Sequence, residues 1–130
     1  MIPARAVLVR SSKSAMGNKT IQLRFRETDR DIFKAIRNGK KKVETRAASP
    51  KFINIKTGDY VKLVCGKDSF KKRVKNARIF KTVSAILRKY KAKEINPLAK
   101  SKSDLENMYN SFPDYREKIK EYGLMVLELK

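Results

Sequence analysis

Histidine is absent from this chain of 130 residues, and cysteine occurs once, at Cys65. Without histidine, schemes that activate serine or cysteine through an imidazole are excluded. One thiol leaves too few soft ligands for a zinc site, so no metal and no other cofactor is expected. A single cysteine also forms no intramolecular disulfide, which fits a reducing compartment. Cys65 falls in the apolar run Val61–Cys65 and reads as a small buried hydrophobe.

Long apolar stretches are missing too. No run reaches the about 18 residues that a transmembrane helix needs, and Ala6–Val9 is far too short for the core of a secretory signal. No segment joins a basic helical face to a broad Trp/Phe/Leu face, so a membrane surface is not the expected partner. A cytoplasmic protein follows.

Acid is scarce. Against 33 Lys+Arg stand only 13 Asp+Glu, a formal charge of +20. Such an excess repels itself in the compact state, and a polyanion, RNA or another nucleic acid, is its natural partner. The plain alternative is a lysine-rich surface that binds nothing in particular. Any catalysis would have to rest on Lys, Glu, Asp, Tyr, Arg or backbone dipoles.

What is present is enough for one folded domain, residues 19–130, behind a basic N-terminal extension, residues 1–18. In the extension, Ala4–Val9 suits an edge strand and Ser11–Asn18 a connection, the whole forming a basic arm. Thr20–Arg26 then alternates, with Ile21, Leu23 and Phe25 on one face and Gln22, Arg24 and Arg26 on the other. Thr28-x-x-Asp31 resembles a capping box for a short helix with Ile32, Phe33 and Ile36 as its buried stripe, ending at Gly39. A loop, Ala47–Lys56, closes on Thr57-Gly58-Asp59 before a strand at Tyr60–Cys65. Gly66-Lys67-Asp68 reads as a hairpin turn into a strand over Lys71–Val83, whose slipped parity predicts a bulge near Lys75-Asn76. Ser84–Lys91 should be a short helix, followed by a basic linker through Asn96-Pro97. Ser103-x-x-Glu106 predicts the cap of a helix with Leu105, Met108, Tyr109 and Phe112 on one face, broken at Pro113. Tyr115, Ile119 and Tyr122 continue a second helix to Gly123, and Leu124–Leu129 is apolar enough for a central strand. The order implies an α+β fold: a mostly antiparallel curved sheet, a partly closed barrel, flanked by three or four short helices.

The chain is organised around Ile36–Arg46, a helix end, an Asn38-Gly39 turn and a strand. Alternation sends Lys42, Glu44 and Arg46 to one face, with Val43 and Thr45 on the other, while the turn sets the direction of Lys41. Charges gathered this way suit a phosphate or a polar base edge. Arg24, Arg26, Lys42 and Lys51, with Lys71, Lys72 and Arg73, would track phosphates. The competing reading is a brace in which Glu44 and Arg46 merely pair with each other.

Gly39-x-Lys41-x-x-Glu44-x-Arg46, then Gly58-Asp59, Phe80–Ser84 and Tyr122-Gly123 before Leu124–Val126, stand in the order found in ASCH domains. The chain resembles that family, a branch of the PUA-like β-barrel superfamily, over roughly residues 19–130. The resemblance implies a barrel with a cleft beside the Lys41-x-x-Glu44-x-Arg46 strand, and RNA or a nucleotide or nucleoside as its ligand. Arg46 would offer its planar fork to a phosphate or base edge, Lys41 a point charge, and Glu44 an orienting carboxylate. Some ASCH-like proteins are amidohydrolases on acylated cytidine, and ribonuclease activity is attributed to others. A small hydrolase on a modified nucleoside, or a ribonuclease, is therefore the alternative, with Lys41 and Glu44 its candidate catalytic groups. The amidohydrolases carry threonine where this chain has Glu44, which a carboxylate does not simply replace.

Overall fold

The computed structural model describes residues 19–130, and the expected N-terminal strand and arm lie outside them. Strand β1 (Thr20–Phe25) leads through a 3-10 turn at Glu27–Asp29 into helix α1 (Arg30–Arg37). Strand β2 (Val43–Ala47) follows, then β3 (Tyr60–Cys65) and the long β4 (Asp68–Phe80). Helices α2 (Val83–Leu87), α3 (Ala92–Ile95), α4 (Lys102–Asn110) and α5 (Tyr115–Tyr122) precede the last strand, β5 (Leu124–Leu129).

The expected α+β architecture is observed. The five strands form one curled half-barrel sheet in the order β1-β3-β4-β5-β2. Three of the four pairings are antiparallel, and β1 pairs with β3 in parallel. The register of β4 against β5 shifts between Val74 and Asn76, the bulge that the slipped parity predicted. That extra residue bends β4 and lets one strand serve two partners at different angles.

Two hydrophobic clusters lie on the two sides of the sheet. Leu23, Phe33, Ile36, Val61, Leu63, Val74, Met125 and Leu127 fill the barrel interior beneath α1. Val43, Ile86, Ile95, Leu105, Tyr109, Leu124 and Val126 join the outer side of β2 and β5 to helices α2–α5. Strand β5 is thus apolar on both faces from Leu124 to Leu127, which explains its run of four buried side chains.

Several local expectations shift. Thr28 does not cap α1: its N-cap is Asp29, which makes no side-chain cap bond. The chain takes a 3-10 turn there because Glu27 is held by Arg30, which also reaches Asp68 and the Cys65 carbonyl. The cap of α4 is Ser101, not Ser103. Its hydroxyl accepts from Asp104 N at 3.1 Å, and Asp104 Oδ2 accepts from Lys100 N at 2.8 Å, so the same kind of motif acts two residues earlier. The β3–β4 turn takes only Gly66 and Lys67, because Cys65 already pairs with Asp68, so β4 begins and ends earlier than expected. Thr82 caps α2 through Ala85 N, which fixes a helix shorter than Ser84–Lys91. The linker before Asn96-Pro97 holds the additional turn α3.

Gly39 and Gly123 sit where only glycine is comfortable. Both have φ of +83°, and a Cβ on Gly123 would lie 2.8 Å from the Phe80 carbonyl oxygen. Gly39 turns the chain out of α1 towards β2, and Gly123 lets α5 pass directly into β5. No helix among the described residues is long and apolar enough to cross a membrane.

Candidate functional site

Among the described residues, strands β1 and β2 are the two edges of the sheet, and the curl brings them towards each other. Between them lies a cavity of about 270 Å³. Its walls include Arg24, Phe25 and Arg26 from the β1 end, Glu44, Thr45 and Arg46 from β2, and Tyr109, Phe112 and Tyr115 from the α4–α5 segment. Asp29, Ile32, Ile95, Asn96, Met108 and Ser111 complete the lining.

The strand parity read from the sequence holds. Glu44 and Arg46 share a face, with Glu44 Oε2 accepting from Arg46 Nε at 3.1 Å. Arg46 then spans the seam of the barrel: its Nη2 donates to the Arg24 carbonyl at 3.0 Å, and its guanidinium lies 4.8 Å from the centre of the Phe25 ring. One side chain thus ties the two sheet edges together. Lys41 stands behind Glu44. Its ammonium, with a side chain 1 % exposed, donates to Glu44 Oε1 at 3.0 Å and to the Val43 carbonyl. Burial pushes the Glu44 carboxyl upwards, but the charges of Lys41 and Arg46 and their hydrogen bonds outweigh it and hold the group below its ordinary value.

The backbone of β2 also contributes to the cavity. Leu129 N donates to the Lys42 carbonyl and Ala48 N to the Gly123 carbonyl, so even-numbered residues carry the bonds to β5. Odd-numbered ones turn their amides to the free edge, where Ala47 N donates to the Tyr115 hydroxyl at 2.8 Å. Thr45 lies between, and its N–H and C=O project on that same edge, a donor and an acceptor side by side. The Thr45 and Tyr109 hydroxyls are 2.6 Å apart. Burial drives the Tyr109 phenol well above its usual value and raises that of Tyr115, so both stay neutral hydrogen-bonding groups.

Opposite stand flat faces. Tyr109 and Tyr115 stack with ring centres 6.1 Å apart, and Phe112 tilts against Tyr115 at 5.2 Å. The Arg26 guanidinium rests 4.4 Å from the Phe112 centre while its Nε pairs with Asp29 at 2.9 Å. Arg24 has no ion-pair partner among the described residues, and its side chain is exposed at the rim.

The other residues singled out in the sequence scatter. Lys42 is exposed at the far end of β2, and Lys51 is exposed in the following loop, 5.3 Å from the Phe52 ring centre. Lys71-Lys72-Arg73 is divided by strand parity: Lys71 and Arg73 face outward, whereas Lys72 lies opposite Val61 and turns towards the barrel side. The sequence reading missed Thr45, Phe112, Tyr115 and Asn96 as cavity residues. The aromatic spacing of α4 and α5 signalled core, and Tyr109 lies in that core with Tyr115 packed against it. Only the loop geometry also turns them to the seam.

No family model and no curated protein matches the chain. Among solved structures, it is similar to protein PF0455 from Pyrococcus furiosus, determined in solution by NMR. The two are 30 % identical, with 85 % of this chain and 96 % of that one covered at a TM-score of 0.66. The chain belongs to the family of PF0455. A crystal structure of hypothetical protein PH0355 is similar at 29 % identity, covering 86 % of this chain and 97 % of that one with a TM-score of 0.72. The half-barrel and its helical cover are thus shared across nearly the full length of both relatives.

Proposed function

We propose that this protein is a single-domain RNA-binding module of the ASCH type, within the PUA-like superfamily, and that an unpaired base or nucleotide enters the cavity between β1 and β2. The observation that carries this reading is the juxtaposition at the seam: arginines, aromatic faces and the free backbone edge of Thr45 around one hollow, in a chain of charge +20. At about 270 Å³ the hollow lies just under the size range of small-molecule sites, roughly 300–1,000 Å³, which suits one base or nucleoside rather than a duplex. Phe112 and Tyr115 offer stacking surfaces, and Thr45 offers the paired donor and acceptor that a base edge requires. Arg24 and Arg26 supply phosphate contacts at the rim.

In this reading Lys41 acts through Glu44. Its buried ammonium fixes the carboxylate, which orients Arg46 and presents an acceptor to a base amino group. The hydrolase and ribonuclease alternatives draw less support. A carboxyl held below its ordinary value is a poor proton carrier near neutral pH, and an ammonium enclosed by two acceptors is poorly placed to attack or shuttle.

Titration of single-stranded and fully paired RNA over a range of salt tests the proposal. Tighter binding of the single strand is expected, with a log–log salt slope near −3.5 for about five neutralised phosphates. Phe112→Ala should weaken binding by about 1–3 kcal/mol through lost stacking. A flat salt response, or equal affinity for Phe112→Ala and the parent, would count against it.

A further inference from the structure

The outer face of β1, β3 and β4 bears a second array of cations, of which only Arg24 also lines the cavity. Register fixes its rows. Gln22 stands beside Lys62, which stands opposite Lys71; Thr20 stands beside Tyr60, which stands opposite Arg73; Arg24 stands beside Val64, opposite Ser69. Arg73 also exchanges both backbone bonds with Lys130, which brings the last lysine into the second row. None of these ten residues is acidic.

Two features set this face apart from an ordinary solvated lysine surface. First, Lys62 and Lys71 are direct cross-strand partners, both exposed, and neither has an ion-pair partner among the described residues. Like charges in that relation oppose sheet formation, so an anion lying between them relieves a repulsion built into the fold. Second, the Arg73 guanidinium is poised 5.6 Å from the Tyr60 ring centre, which leaves a half-exposed aromatic among cations. Rows two residues apart repeat about every 6.6 Å along the strands. Cations at that repeat, with an aromatic among them, form a track for an extended single strand.

Arg24 connects the two regions, because it ends one row of this face and also lines the cavity rim. We propose that the outer face of β1–β3–β4 carries the phosphodiester backbone of a single-stranded RNA through Lys62, Lys71 and Arg73, and that Arg24 hands the strand from this track to the cavity. The inference rests on the RNA-binding reading and extends it. The cavity takes one nucleotide, and the sheet face holds the neighbouring phosphates. Lys72, in the middle of the basic run, has no part in the track.

The test compares a long oligouridylate with a uridine dinucleotide, binding measured by fluorescence anisotropy across salt concentrations. Lys62→Gln/Lys71→Gln should bind the long oligomer about tenfold more weakly or worse, with a salt slope shallower by about 1.4, two contacts at about 0.7 each. It should bind the dinucleotide like the parent and melt no lower, since the substitution removes a repulsion. Phe112→Ala should lose the dinucleotide. The control Lys89→Gln/Lys93→Gln removes equal charge from the helical side, at residues exposed like the others. An unchanged slope in Lys62→Gln/Lys71→Gln, or an equal loss in the control, overturns the track and leaves the cavity reading standing. Retained dinucleotide binding in Phe112→Ala, with the slope change present, fails the cavity and keeps the track. If the parent binds neither probe, both fall.

Discussion

Replacing Glu44 by Gln removes the carboxylate that pairs with both Lys41 and Arg46 and leaves the buried Lys41 ammonium without a counter-charge. The Glu44 side chain is 9 % exposed and that of Lys41 is 1 % exposed. An ammonium so enclosed has no route to bulk water without local unfolding. Breaking such a pair from one side costs about 3–5 kcal/mol. Lys41 keeps the Val43 carbonyl and Arg46 keeps the Arg24 carbonyl, so the lower end, about 3 kcal/mol, is expected here. For a domain of this size that loss lowers Tm by roughly 10 °C. The pH dependence has a definite sign. The carboxyl is held below its ordinary value of 4.5 in the folded protein, so the unfolded chain takes up this proton first as pH falls. The stability Glu44 adds is complete above that ordinary value and is lost as pH falls through the lower folded one. Thermal melts of parent and Glu44→Gln should therefore differ by a constant amount near neutral pH and converge in acid. Adding Lys41→Met to Glu44→Gln should restore part of the loss, because the stranded ammonium is then gone. A Tm unchanged by Glu44→Gln, or a difference that persists undiminished into acid, would refute the buried triad.

Three further outcomes follow from the packing. Gly123→Ala should destabilise the fold by at least about 1 kcal/mol, seen in chemical denaturation, since φ is +83° and the new Cβ would meet the Phe80 carbonyl oxygen at 2.8 Å. A neutral result would mean that α5 and β5 join differently. Tyr109→Phe should cost about 0.5–1.5 kcal/mol by removing the partner of the Thr45 hydroxyl, with denaturation midpoints as the readout; Thr45→Val in the same background should add little more. Lys62→Glu should raise stability by about 0.2–1 kcal/mol by turning a like-charge cross-strand pair with Lys71 into an attractive one; a lower midpoint would contradict the register of β3 on β4.

Much of the fold was legible because its signals are local. The alternation in Thr20–Arg26, the slipped parity near Lys75 and the dense apolar run at Leu124–Leu129 each correspond to an observed element. The cap positions were less legible. Ser101-x-x-Asp104 and Ser103-x-x-Glu106 offer the same chemistry two residues apart, and tertiary placement of α4 decides between them. The parallel pairing of β1 with β3 was invisible, since nothing in a half-buried strand states which neighbour it takes. At the site, strand parity correctly joined Glu44 to Arg46, but not the depth of Lys41, because the turn at Gly39 rather than the strand sets where its side chain goes. The aromatic wall escaped because Tyr109 and Tyr115 belong to a core and a cavity at once. The run Lys71-Lys72-Arg73 shows the converse: three adjacent cations look like one patch until a pleated strand sends the middle one to the other side.

Photo-crosslinking of a short single-stranded RNA, followed by peptide mapping of the adducts, asks where a base actually goes. Adducts on Phe25, Phe112 or Tyr115, lost when free nucleotide competes, are the result expected of a base held at the seam between β1 and β2. Adducts confined to surfaces away from that seam, with these three rings unmodified, would contradict it.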